Sequence, residues 1–209
     1  MRLPDVTLIA VSSVKITRTI SALRKTYKKI GFGSVKLVSH KRPLLLPSQI
    51  AFELCPKLNN IHDYNHYVFR EMGRHVETSH CLLIQHDSWV IRPEMWNDDW
   101  LKFDYIGAPW PYSSNSYITT EGVHIRVGNG GFSLRSKRIL EAPRRLNLHL
   151  THDRGHWNED GNLCVYHRLG LEKAKIRFAP VEIAAAFSHE HDVPENESSK
   201  PFGFHKFVK

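Results

Sequence analysis

What this sequence has little of narrows it first. It holds 3 cysteines, Cys55, Cys81 and Cys164, far apart and without a CxxC pair. An odd, scattered set excludes a disulfide framework and a zinc ribbon and reads as reduced thiols of a cytosolic protein. Long apolar runs are missing as well. The longest, Val6 to Val11 and the Ile183 to Phe187 region, fall far short of the roughly 20 residues that cross a bilayer. No basic segment leading into an apolar one precedes them, so the expectation is a protein with neither membrane span nor secretory leader. There is no strand-borne GxGxxG, no GxxxxGK[ST] and no HExxH, which removes the dinucleotide fold, the P-loop and the helical zinc hydrolase. His152 with His156 and His189 with His191 are the remaining metal pairs by spacing. Neither pair lies on a convincing helix or strand, which leaves zinc chemistry poorly supported.

What is present is a chain of 209 residues with 41% hydrophobic and 11% aromatic side chains, enough to build a core and short enough for one domain, residues 1–209. Lysine and arginine number 29 against 21 aspartates and glutamates, a formal net charge of +8. That balance favours an anionic partner: nucleic acid, a lipid surface or a phosphorylated small molecule.

The order of elements points to an α/β sheet. "VTLIAVSS" is short, β-branched and ends in small polar residues, as a buried parallel strand does where it enters a loop. Ile16, Ile20, Leu23, Tyr27 and Ile30 then recur at helical spacing, with Gly31 and Gly33 as the stop, and "SVKLVSH" reads as a second strand. Strand, helix, strand in this order is the pattern of a parallel sheet with right-handed crossovers. Residues 41–60 carry three prolines and read as loop. Ile61, Tyr64, Val68, Met72 and Val76 form the next helical stripe, which delivers the chain into the strand "HCLLIQ". "FDYIGAPW" is a strand entering a Gly-Pro turn, and "VHIRVGNGGFSLRS" gives two extended pieces hinged at Gly128 to Gly131. Ser136 is placed to cap a helix over 137–146, broken early by Pro143. "KIRFAP" reads as the last strand and 189–200 as a polar loop.

Ligands of open α/β sheets gather at the carboxyl ends of the strands. Asp87 lies just past the apolar run Cys81 to Ile84, so its carboxylate can reach such a crevice; a lone aspartate there more often caps a turn. Three glycines in the four residues 128–131 allow unusual backbone angles and close approach of a ligand to the main chain, although a bulge or hairpin explains them equally well. Glu159 and Asp160 stand where a helix begins. They are either caps of its N–H groups or a general base, which must lie within hydrogen-bond reach of a hydroxyl. His205 sits among aromatics, where packing is the commoner role.

Taken together, "LLIQHDSW", "FDYIGAPW", "VGNGGFSLRS", "NED" and "PFGFHKF" resemble a group of mostly bacterial domains, long described as of unknown function, that look like GT-A-fold glycosyltransferases and accompany polysaccharide synthesis. The resemblance spans most of the chain. Its most specific blocks are GNGGFSLR and DYIGAPW. It implies a single α/β GT-A-like domain with a mostly parallel central sheet flanked by helices. The implied activity is transfer of a hexose from a nucleotide sugar, UDP-linked by expectation, to a glycan or lipid-linked saccharide acceptor, with inversion. A divalent cation, Mn²⁺ or else Mg²⁺, would bridge the diphosphate, held by Asp87 as the last carboxylate of a DxD-type motif and by His205 as a C-terminal ligand. The first aspartate of that motif is Gln85 here, which removes one anionic contact and turns Gln85 toward the ribose or a water. The resemblance further assigns Gly130 and Gly131 to the donor sugar and Asp160, with Glu159 as alternative, to the base. Val11, Ser12 and Ser13 fall where such folds receive the nucleotide base, with Arg18 and Lys15 near its phosphates.

A non-catalytic module for glycan or nucleic acid is the competing class. Against nucleic acid, the basic residues are spread over helical faces and no recognised RNA- or DNA-binding pattern occurs. A cytoplasmic enzyme working on lipid-linked glycan gives the positive charge another use, attraction to anionic headgroups at the inner face of a membrane.

Overall fold

The computed structural model describes residues 1–112, 117–152, 158–197 and 199–206. Its centre is a six-stranded sheet in the order β3-β2-β1-β4-β9-β6, formed by β1 (Arg2–Val11), β2 (Gly31–Ser39), β3 (Ala51–Leu54), β4 (His80–Ile84), β6 (Tyr105–Ile106) and β9 (Phe132–Ser136). β1 pairs in parallel with β2 and β4, and β2 with β3. β9 runs antiparallel to both of its neighbours. The sheet is therefore mostly parallel, as expected.

Alternation along β1 explains how both faces become covered. Leu8 and Ala10 join the core under α1 (Ile16–Tyr27) with Ala22, Leu23, Leu82 and Ile84. Ile9 and Val11 face the opposite way, toward Val68 and Met72 at and beyond α2 (Ile61–Arg70), because successive Cβ atoms leave opposite faces of a strand. Among the described residues no helix is long and apolar enough to cross a membrane. All three cysteines are buried and unpaired, and burial pushes the Cys81 thiol up to about 12, so it packs as a small apolar group.

Several local expectations need correction. Gly31 and Gly33 do not end α1. They lie inside β2, where a Cβ on Gly33 would meet the Pro4 carbonyl oxygen at 2.1 Å. The proline-rich segment 41–60 contains β3, a short edge strand whose residues are exposed or half-buried; with so little apolar burial it carries almost no alternation signal. Pro143 sits within α3 (Lys137–Arg145) without ending it, since Leu146 N–H still reaches Ala142 O at 2.9 Å. "KIRFAP" contributes only a bridge between Phe178 and Tyr105, and the chain then enters α6 (Val181–Phe187).

The element that matters most for the site is a second, three-stranded sheet of β5 (Ser88–Val90), β10 (Ser188–His189) and β11 (Gly203–His205), in the order β10-β11-β5. β11 runs antiparallel to β5 with His205 opposite Ser88. An aromatic cluster pins it: Phe202 lies against Trp100 (ring centroids 5.5 Å apart) and Phe187 (5.9 Å), and the space where Gly203 would carry a Cβ is filled by the Phe132 ring at 2.1 Å.

Candidate active site

β4 ends at Ile84 and the chain turns through Gln85, His86 and Asp87 into β5. The turn is rigid: Gln85 N–H donates to Ser88 Oγ (2.8 Å) and Ser88 Oγ donates to Gly131 O (2.6 Å). Because β11 pairs with β5, His205 arrives beside Asp87, Nε2 to Oδ1 3.6 Å. His205 Nδ1 donates to Glu190 Oε1 at 2.9 Å. That bond fixes the proton on Nδ1 in the neutral ring and leaves the Nε2 lone pair facing Asp87. Burial alone would raise the Asp87 carboxyl, yet His205 and His86 hold it below the ordinary range. Burial would likewise lower the His205 imidazole, yet Asp87 and Glu190 raise it.

Asp87 Oδ1 and His205 Nε2 are both buried without a hydrogen-bond partner. Two orphaned donor atoms, one oxygen and one nitrogen, fit about a third of the octahedral coordination shell of a hard or borderline cation. Among the described residues no group of three or more His, Cys, Asp or Glu side chains is placed to hold a metal ion.

Beside this pair opens a cavity of about 530 Å³, lined by Gln85, Gly130, Gly131, Glu159, Asp160, Glu190, His205, Trp110 and Tyr117, among others. Trp110 and Tyr117 stack at 4.2 Å with 9° between planes. α4 (Glu159–Gly161) brings the acidic pair to the wall, and the two carboxylates part company. Glu159 forms a bidentate ion pair with fully buried Arg135, both bonds 3.0 Å. Burial opposes the guanidinium's charge and Glu159 overrides it. With both oxygens on the Arg135 guanidinium, Glu159 is the charge partner of that arginine. Asp160 instead accepts from Gly130 N–H (2.7 Å) and Gly161 N–H (2.8 Å). Burial, with the charges of Glu159 and Glu190, pushes its carboxyl up to about 6.

The glycines have a reason the sequence did not disclose. A Cβ on Gly130 would fall 2.1 Å from Glu159 Oε1, and one on Gly131 2.2 Å from His205 Nε2. They make room for the protein's own site residues before any ligand. Asn129 takes the left-handed backbone (φ 78°) and its Oδ1 accepts from Gly131 N–H.

A second cavity of about 320 Å³ shares Ile61, Tyr64 and Gln85 with the first and is otherwise lined by Val11, Ser12, Ser13, Lys15, Leu58 and their neighbours. Gln85 Nε2 donates to Tyr64 Oη (3.0 Å), so its amide N–H₂ is engaged by the protein. Arg18, on α1, does not line this cavity; it borders an adjoining hollow together with Ser13, Lys15 and Lys41. His156 of the His152 pair lies outside the described residues; His189 bonds Asp192 (3.1 Å) at the surface. Reasoning on residues missed Glu190, Tyr64, Asn129 and Arg135. The only sequence signal for any of them was the placement of Glu190 between two histidines and of Arg135 at the end of the glycine block.

A protein-family model described as a protein of unknown function (DUF5672) matches residues 49–205. No curated protein sequence matches the chain. Among solved structures, the galactosyltransferase LgtC in complex with donor and acceptor sugar analogs aligns with a TM-score of 0.56 at 10% identity, covering 95% of this chain and 86% of that one. A glycosyltransferase involved in the glycosylation of the major capsid of PBCV-1 aligns at 0.54 and 12% identity, over 96% and 92%. The apo-form glycosyltransferase GlyE of Streptococcus pneumoniae TIGR4 aligns at 0.50 and 14%, over 97% and 54%. At such identities the likeness is one of fold, and the fold is GT-A-like.

Proposed function

The chain belongs to the DUF5672 family, and from that membership and the GT-A-like fold we propose that it is a glycosyltransferase moving a hexose from a nucleotide sugar to a saccharide acceptor. The observation that carries this reading is the convergence of His205, Gly131 and Asp160 on one cavity, with Asp87 Oδ1 3.6 Å from His205 Nε2 beside it. A nucleoside fits the smaller, more apolar cavity at Val11, Ser12 and Ser13, with Lys15 at its edge for phosphate. The shared wall at Tyr64 and Gln85 leads its diphosphate toward Asp87 and His205, and the sugar into the larger cavity against the Trp110–Tyr117 stack.

Asp87 Oδ1 and His205 Nε2 would hold a divalent cation, Mn²⁺ or Mg²⁺, which when bound offsets the negative charge that gathers on a departing diphosphate. Glu190 orients the imidazole for that task. Asp160 is the base. It takes the acceptor hydroxyl's proton as the oxygen attacks the anomeric carbon and the sugar–phosphate bond breaks, and its elevated pKa brings it nearer to neutral, where a base works best. With Glu159 held by Arg135 and Glu190 bonded to His205, Asp160 is the carboxylate assigned to the acceptor, and the reading is a one-step displacement with inversion. NMR of the product's anomeric configuration checks that outcome.

Calorimetry with UDP-hexoses, with and without Mn²⁺, on native protein and Asp87→Ala tests the assignment. The expected result is Mn²⁺-dependent donor binding that the variant loses. Equal donor affinity of both proteins in Mn²⁺ would remove Asp87 from the site.

A further inference from the structure

β2 hands the chain to a turn bracketed by Pro43 and Pro47. Leu46 points inward and packs on the main core. Leu44 and Leu45, by contrast, are 102% and 93% exposed, and Val14, on the neighbouring loop, is 79% exposed. Single exposed leucines are ordinary; two adjacent, fully exposed ones on a turn that the core anchors are a surface feature to be explained.

Charge supplies the explanation. Lys41 and Arg42 directly precede the turn. Lys41 also borders a hollow of about 370 Å³ with Val14, Lys15 and Arg18. All four cations are exposed, and among the described residues none of them pairs with a carboxylate. Lys15 hydrogen-bonds the His86 ring (3.0 Å), which supplies no counter-charge; leucines that project beside exposed cations without carboxylate partners match a surface that is anionic outside and apolar just beneath. That is a phospholipid bilayer: the cations meet headgroup phosphates while the side chains enter the acyl boundary. Nucleic acid would use the cations but leave the leucines without a partner.

We propose that the Leu44–Leu45 turn, with Lys41, Arg42, Lys15 and Arg18 around it, docks the protein on an anionic lipid bilayer. The hollow shares Ser13, Val14 and Lys15 with the smaller cavity, so docking holds the candidate cleft close to the membrane surface. The docking itself stands apart from the transferase reading.

Vesicle co-sedimentation decides it, using phosphatidylcholine alone and phosphatidylcholine with a one-third share of phosphatidylglycerol. Native protein sediments with the acidic vesicles and far less with the neutral ones. Lys41→Glu/Arg42→Glu lowers the partition by at least about fivefold per cation removed, and Leu44→Ser/Leu45→Ser lowers it by at least about tenfold. Both variants keep the native melting curve and soluble UDP-hexose binding, since none of these residues touches the cleft; that separates failure of docking from failure of the transferase reading. No sedimentation with acidic vesicles, or sedimentation indifferent to the leucine change, overturns the proposal. So does binding to duplex DNA or RNA that the charge reversal abolishes and the leucine change spares, or a dimer in solution that the leucine change alone dissolves.

Discussion

Asp160 and Glu159 are adjacent carboxylates with opposite fates, and the difference is decided by a partner 24 residues away in the chain, Arg135. Glu159→Gln leaves a fully buried guanidinium without its counter-charge, which costs about 3–5 kcal/mol; urea unfolding measures it. Asp160→Asn removes no ion pair, so its effect falls on catalysis, a loss of about 10²–10⁴-fold in kcat/KM. The pH profile follows from the same carboxyl. As the proposed base it works deprotonated, so the expected kcat/KM is flat above about pH 6 and falls tenfold per unit below it as the proton returns; a profile unchanged between pH 5 and 7, measured with saturating cation, removes Asp160 as the base. The sequence marked both acids but had no means to assign them, because both occupy the same helix start and only the fold says which one meets an arginine.

At the scale of elements, the glycine block and the last strand depend on each other. Gly131→Ala would drive a methyl group into the His205 ring, so the expected outcome is weakened Mn²⁺-dependent donor binding with the fold retained, read by calorimetry beside a melting curve. Gly107→Ala contrasts with it. There the added carbon would lie 1.5 Å from Gly128 O, a backbone atom, which forces apart β7 (Ala108–Pro109) and β8 (Val127–Gly128) and unfolds the protein at a lower temperature. Ser136 was legible as a cap and acts as one, accepting from Ile139 N–H while donating to Asp104 Oδ1 at 2.5 Å. Ser136→Ala costs about 1–3 kcal/mol in urea unfolding. β3 and α6 escaped the sequence reading for physical reasons. β3 is an exposed edge with little apolar contrast, and the apolar run of α6 is too short for periodicity to separate helix from strand.

At the scale of the whole molecule, the site is a joint between two sheets. The six-stranded sheet presents Asp87 and the glycine block; the three-stranded sheet returns the C-terminal segment so that His205 and Glu190 close the other side. Phe202, fully buried among Trp100, Phe132 and Phe187, holds that return in place. Phe202→Ala should therefore cost about 3–5 kcal/mol of stability and weaken donor binding without touching the ligand, a coupling visible when calorimetry and unfolding are run on the same protein. By itself the sequence determined the parallel α/β framework, since apolar periodicity and strand-helix alternation are local properties of the chain. It also determined which side chains could do chemistry, since residue type and wording are written in it. Only the tertiary structure decided which of those meet: the pairing of β11 with β5 and the capture of Glu159 by Arg135 are contacts between distant segments, set by how the core packs and invisible to any spacing along the chain.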